Sequence, residues 1–182
     1  MTSVLVPLAQ GCEELEAITI TDLLVRAGIK VTTAGLDSAT VVAARGTRIV
    51  PDTTIDLVTD IEYDMVVLPG GLPGADHLRD NDDVQNILKH HSSIGKYIGA
   101  ICAAPKALAK AGLLENKTAT AYPGVLQGLN LENTIVKDSM IEIDGNVITS
   151  RGPGTAMDFA LTLIELLAGK DKRNEVESGL VK

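Results

Sequence analysis

Cys102 stands where the apolar run YIGAI (Tyr97–Ile101) gives way to AAPKALAKA, a segment of helical composition. A side chain at such a junction sits on a sharp turn at the C-terminal edge of a sheet, where open α/β folds keep their ligands. A helix amino terminus beside it favours thiolate over thiol, so the position predicts a lowered thiol pKa. Pro105 fits that boundary, because proline is tolerated in the first helical turn. The competing reading is a small buried core residue, which free cysteine often is. Position favours chemistry.

Two further features could serve that thiol. Pro69-Gly70-Gly71 directly follows the run MVVL (Met65–Leu68). Glycines there let the backbone fold back with N–H groups free to hold an oxyanion beside the sulfur. An ordinary strand-ending turn explains them as well. The acids Glu13, Glu14 and Glu16 open the first helix, where carboxylates suit the helix dipole and read as solvated first-turn residues. Glu16 shares a face with Ile20 and follows Cys12 by about one turn, which turns it inward while Glu13 and Glu14 face water. A carboxyl beside a thiol is a general base or, when protonated, a hydrogen-bond donor to the sulfur.

Other chemistries find less support. The histidines are His77, His90 and His91. The last two are adjacent, so on a helix they point to different faces and do not chelate one ion together. None forms an evident Cys-His dyad with Cys102. No Gly-Lys-Ser/Thr follows Gly71 and no G-x-G-x-x-G occurs, which leaves nucleotide binding unsupported.

The elements that must hold these residues alternate regularly. Val4–Leu8 reads as a buried strand. Glu13–Arg26 follows as a helix with Leu15, Ile18, Leu23 and Val25 broadly at helical spacing, stopped by Gly28. Ile29–Ala34 is the next strand, which completes a βαβ unit and implies a parallel sheet. Val41–Ala44 and Thr47–Val50 flank Arg45-Gly46 as a small hairpin. Met65–Leu68, a helix over Asp83–His91, the strand Tyr97–Ile101 and a helix over Ala103–Ala111 continue the pattern. A short strand over Thr118–Ala121 comes next. Ser139–Ile143 and Asn146–Thr149 form a hairpin around Asp144-Gly145, and helices over Thr155–Leu167 and Arg173–Val181 close the chain. One doubly wound α/β domain spanning residues 1–182 accounts for this order.

Composition narrows the function classes. Lys plus Arg is 16 against 24 for Asp plus Glu, a net charge of −8. That field repels phosphate backbones, and only three Tyr, one Phe and no Trp are present to stack bases, so nucleic acid is an unlikely partner. The longest apolar stretch, Tyr97 to Pro105, falls well short of the roughly 20 residues that span a bilayer. The first residues, MTSVLVPLAQ, lack the charged and apolar regions of a signal peptide. Two cysteines, Cys12 and Cys102, form no secreted-type disulfide framework. A cytoplasmic protein without a membrane segment is the expectation.

The segments GCEELEA, VVLPGG, GAICAAP and TSRGPGTAMDFAL together resemble the ThiJ/PfpI family, in the branch of the parkinsonism-associated deglycase and its bacterial relatives. The likeness runs in unbroken order from about Val4 to Val181. It implies a flavodoxin-like three-layer sandwich with a mostly parallel sheet and a nucleophile elbow, assembled as a homodimer with the pocket near the interface. Cys102 then matches the family's oxidation-sensitive cysteine, and Glu16 the glutamate whose protonated carboxyl hydrogen-bonds it. Gly70 and Gly71 match the oxyanion amides. Arg45 and Arg26 match arginines near the pocket and dimer contact, and Ser150, Arg151, Gly152 and Pro153 match the loop that closes the site.

The departures are informative. Tyr122, in Ala119-Thr120-Ala121-Tyr122-Pro123, stands where many relatives carry His, and a phenol with an ordinary pKa of about 10 is a poor base at neutral pH. Ala103 stands where the peptidase branch has His, which argues against a Cys-His protease. The Gly-x-Cys-x-Gly elbow of glutamine amidotransferases is absent. Cys12 falls where relatives often have Ala or Ser, either as a small residue in a tight turn or as a resolving thiol for oxidised Cys102. The resemblance implies glyoxalase- or deglycase-type chemistry, without cofactor or metal, on a small α-oxoaldehyde or a glycated protein. Its alternative is a redox sensor or chaperone that works by oxidation of Cys102 to sulfinate.

Overall fold

The computed structural model describes residues 1–129 and 131–182. The first unit sets the plan. β1 (Ser3–Leu8) is followed by α1 (Glu14–Arg26) and by β2 (Lys30–Gly35), which pairs parallel to β1 in the register Ser3↔Lys30 to Leu8↔Gly35. Gly28, at φ +75°, turns the chain out of α1, a conformation that costs glycine nothing and other residues strain. β3 (Val41–Val42) and β4 (Arg48–Ile49) form the hairpin around Arg45-Gly46, and β5 (Thr53–Thr54) extends the sheet beside β2.

The second half adds β6 (Met65–Leu68), α2 (Gly74–Asp80), α3 (Asp82–Ser93) and β7 (Tyr97–Ile101). Next come α4 (Pro105–Lys110) and the parallel pair β8 (Thr118–Ala119) and β9 (Ile135–Val136). The antiparallel hairpin β10 (Ile141–Asp144) and β11 (Val147–Ser150) leads into α5 (Ala156–Ala168) and α6 (Lys170–Gly179). The main sheet runs β10-β11-β7-β6-β1-β2-β5, parallel apart from the β10 edge.

Strand alternation explains the three layers. Val4, Val6, Met65 and Val67 face one core with Ile20 and Leu24 of α1 and Phe159, Leu163 and Ile164 of α5. Leu5, Val66, Leu68, Ile98 and Ala100 face the other, with Val84, Ile87 and Leu88 of α3 and Leu108 of α4. Each fully buried aliphatic side chain contributes about 1.5–3 kcal/mol. Strands buried on both faces read as continuous apolar runs, as MVVL does. The chain leaves β1 toward β2 on one side and resumes with β6 on the other. The switch point therefore lies between β1 and β6, where a flavodoxin-like sheet opens its ligand crevice.

Four expectations are corrected. Leu15, Ile18 and Val25 lie on the outer face of α1, between 47% and 59% exposed, and only Leu23 of that stripe is buried. The inward face is Glu16, Ala17, Ile20, Leu23 and Leu24, a helical stripe that its one carboxylate hides from apolar pattern reading. Glu13 is buried instead of facing water. α2, β5 and β9 carry too few residues for periodicity to announce them. The helix after Cys102 begins at Pro105, so Ala103 belongs to the turn.

Candidate active site

Cys102 is held at φ +63°, a left-handed conformation that costs a non-glycine residue about 1–2 kcal/mol. Surrounding bonds over-determine it. The Cys102 N–H donates to Ser150 O at the end of β11 (2.9 Å), and the Tyr122 N–H donates to Cys102 O (2.9 Å). The turn projects the thiol from the C-terminal end of β7 into a cleft of about 350 Å³, with only 8% of the residue exposed. This is the nucleophile-elbow geometry, and stored strain at such a residue marks function more often than packing.

Glu16 lies behind the thiol, fully buried. Its Oε2 accepts from the Gly70 N–H at 2.8 Å, its carboxyl hydrogen-bonds the Cys102 thiol, and Oε1 has no nitrogen or oxygen partner among the described residues. Only glycine fits at position 70: a Cβ there would lie 2.6 Å from Cys102 Cβ and 2.8 Å from Glu16 Oε2. Gly71, at φ +89°, is constrained in the same way, because a Cβ would stand 2.3 Å from the Glu13 nitrogen. These two glycines let three segments converge on one sulfur.

The electrostatics overturn one expectation. Burial, then the charge of Glu16 and its hydrogen bond, push the Cys102 thiol up to about 12. The amides of Gly71 and Ala103 pull it down by less. Burial also pushes Glu16 up to about 7, against the lowering effect of its bonds to Gly70 and Cys102. Two buried anions side by side are unfavourable, so the pair holds a proton between carboxyl and sulfur and titrates as a unit.

Gly70 is a second correction. Its N–H is engaged by Glu16, so the amides that face the sulfur are those of Gly71 and Ala103. The cleft brings together Glu13, Ala44, Arg45, Gly71, Leu72, Cys102, Ala103, Tyr122, Val125 and Pro153. Arg45, Ala103, Tyr122 and Pro153, the pocket residues that the family resemblance implies, are among its lining. Tyr122 and Pro153 also wall a second groove of about 280 Å³ with Arg151 and Gly152. Arg26 is not brought to the cleft. It pairs with Asp22 at the far end of α1 (2.7 Å), about 15 Å along the helix from Glu16.

Glu13, Ala44, Leu72 and Val125 are the cleft residues that sequence reasoning missed. Glu13 Oε2 is paired with Arg45 Nη1 at 2.8 Å, with 9% of its side chain exposed. Its partner comes from a hairpin more than 30 residues away, so no local signal could reveal it. Ser150 is buried, with its hydroxyl bonded to Met140 O and Thr155 Oγ1. It braces the closing loop and does not line the cleft. Cys12 is fully buried where Gly74 and Gly71 press on its backbone, and burial pushes its thiol up to about 11. That is the small residue in a tight turn. His91 is buried, with Nδ1 against Ile87 O and Nε2 accepting from the Tyr63 N–H. Among the described residues no three His, Cys, Asp or Glu side chains are grouped to hold a metal, and no helix is long and apolar enough to cross a membrane.

Comparison with known proteins agrees with this fold. Residues 2–166 match the DJ-1/PfpI family. Protein dj-1beta of Drosophila melanogaster is 47% identical over 180 residues, covering 98% of this chain and 96% of the relative. Its crystal structure superposes with a TM-score of 0.95 over 99% of this chain and 97% of that one. The glutathione-independent glyoxalase DJR-1.2 of Caenorhabditis elegans is 36% identical over 167 residues, 92% of this chain and 89% of the relative. Toxoplasma gondii DJ-1, in a structure described as oxidized, is 36% identical with a TM-score of 0.93 over 100% and 98% of the two chains. With the elbow, the switch-point crevice and the four motifs in register, the chain belongs to the DJ-1/PfpI family.

Proposed function

We propose that this protein is a cofactor-free, cysteine-dependent glyoxalase- or deglycase-type enzyme acting on small α-oxoaldehydes such as methylglyoxal, or on their protein adducts. The observation that carries the reading is the convergence of a strained Cys102, the buried Glu16 carboxyl and the Gly71 and Ala103 amides at one cleft. The glyoxalase name of the worm relative supports the same class.

The chemistry follows from the proton between the two groups. As the sulfur attacks the aldehyde carbon, the thiol proton passes to Glu16, whose pKa near 7 suits it to accept and return a proton at neutral pH. Negative charge moves from sulfur to the aldehyde oxygen, and the Gly71 and Ala103 amides are the donors available to it. The adduct is a hemithioacetal. Isomerisation to the α-hydroxy thioester and hydrolysis by water then release the hydroxy acid and the thiol, with no external oxidant or reductant. Residues 1–182 act in this reading as one domain, and the apolar outer face of α1, with Leu15, Ile18 and Val25, is the surface on which a homodimer would form.

A second reading has a specific support. A sulfinate at Cys102 would find the same two amides and the protonated Glu16 as donors, and one relative is described in an oxidized form. Purified, fully reduced protein with methylglyoxal separates the two. Lactate formed catalytically by wild type, and lost in Cys102→Ser, supports the enzyme. Aldehyde loss no greater than the number of thiols moves the redox reading to first place.

A further inference from the structure

The isomerisation step needs a group that Glu16 does not supply. Once the hemithioacetal has formed, the hydrogen on the former aldehyde carbon must leave that carbon, and a hydrogen must arrive on the neighbouring one. The base has to reach carbon atoms standing in the cleft. Glu16 is fully buried, takes no part in the cleft wall, and spends Oε2 on the Gly70 amide. The titratable groups of the wall are Glu13, Arg45, Cys102 and Tyr122. Cys102 is the attached nucleophile. Guanidinium and phenol are proton donors at neutral pH, not bases. Glu13 is the carboxylate among them.

Its placement is built. The Glu13 N–H donates to Gly70 O at 2.9 Å, and its backbone lies against Gly71, whose amide faces the sulfur. Arg45, from the β3–β4 hairpin, holds Oε2 at 2.8 Å and leaves the carboxylate nearly buried at the cleft wall. The carboxylate therefore lines the same cleft as Cys102, whose thiol Glu16 serves from behind.

Resting on the glyoxalase reading above, we propose that Glu13 is the catalytic base that carries the carbon-bound proton of the hemithioacetal, while Glu16 carries the thiol proton. Glu13 takes the hydrogen from the sulfur-bearing carbon, and the C–H pair becomes the C=C bond of an enediolate whose charge rests on the neighbouring oxygen. Glu13 then returns the proton to the neighbouring carbon, and the first carbon's hydroxyl proton moves to the neighbouring oxygen, so the first carbon becomes the thioester carbonyl and the second bears the new hydroxyl. One carbon is oxidised and the other reduced, and no electrons leave the adduct. The division of labour also removes the need for a base at position 122.

The test is Glu13→Gln and Glu13→Asp beside wild type and Tyr122→Phe, assayed with methylglyoxal in ordinary water and in D2O. Wild type is expected to form lactate and, in D2O, to incorporate deuterium at the new carbon–hydrogen bond. Glu13→Gln is expected to lose lactate formation by about 10²–10⁴-fold while Cys102 still forms the methylglyoxal adduct, seen by intact-protein mass spectrometry. The adduct shows that the elbow is still folded and reactive. Glu13→Asp should recover part of the rate. Lactate formation in Glu13→Gln within tenfold of wild type overturns Glu13's role and leaves the glyoxalase reading standing. Loss of lactate in Tyr122→Phe but not in Glu13→Gln also overturns it, in favour of the phenol. Wild type that accumulates adduct and releases no lactate overturns the glyoxalase reading itself, and Glu13's role with it.

Discussion

The turn at Cys102 and the turn at Cys12 place the same residue type in opposite circumstances. Both thiols are buried and both are pushed up by desolvation, to about 12 and about 11. Cys12 is packed where three backbone segments cross, with its carbonyl accepting from the Ala44 N–H. Cys102 sits in left-handed backbone at the wall of a cleft, bonded to a carboxyl that itself titrates near neutrality. Burial alone makes a cysteine inert. Burial beside a proton acceptor, with an opening to substrate, gives a thiol whose proton has a partner to go to as it reacts.

Replacing each cysteine breaks the comparison most directly. Cys102→Ser should lower turnover with methylglyoxal by at least about 10³-fold. Cys12→Ala should leave turnover unchanged and shift stability by no more than about 1 kcal/mol, which steady-state kinetics and thermal melts will check. Equal losses in the two variants would remove the distinction.

Glu16→Gln sharpens it next. Without the proton acceptor, turnover should fall by about 10²–10⁴-fold. The same substitution should stabilise the fold. Glu16 titrates near 7 in the protein against an ordinary 4.5, so the folded state binds more protons and loses stability as pH rises through that interval. Above pH 7 the penalty is about 3 kcal/mol, and Gln escapes it while still accepting from Gly70. Denaturant melts should show the variant's advantage at pH 8 and its disappearance at pH 4.

A smaller effect is the pH profile. Turnover per molarity of substrate should rise with pH through about 7, as Glu16 loses its proton and becomes able to accept that of the thiol. Glu13, Arg45 and Cys102 are the charged or titratable groups that bear on it. A profile that is flat between pH 6 and 8 would separate Glu16 from the rate.

The smallest effect concerns His91. It is buried and doubly hydrogen-bonded as the neutral ring, and burial lowers its pKa below 6.5. The unfolded chain binds its proton first, so this contribution is complete above pH 6.5 and declines as pH falls below it. Glu16 acts in the opposite sense between 4.5 and 7. Glu16→Gln should therefore lose stability with acid more steeply than wild type, which a Tm series from pH 7 to 5 will show.

Much of this was legible in the sequence because its cause is local. A continuous β-branched run is a two-sided strand, Gly28 and Asp144-Gly145 demand particular backbone angles, and a cysteine between strand and helix needs no distant partner to be noticed. The ThiJ/PfpI motifs added the pairing of Glu16 with Cys102. α2, β5 and β9 escaped because a few residues carry no period, and the inward face of α1 escaped because Glu16 occupies it.

By itself the sequence determined a parallel α/β sheet and a cysteine at a strand–helix junction, since composition and short-range geometry suffice for these, and the resemblance to the ThiJ/PfpI family implied the groups around that cysteine. Three matters were decided only when the chain closed on itself. Gly70 gives its amide to Glu16 instead of to an oxyanion. The thiol is raised where a helix terminus alone would lower it. Glu13 is drawn into the cleft by Arg45 from a separate hairpin. Each depends on burial and on contacts between residues tens of positions apart, and desolvation and charge pairing exist only once those segments meet.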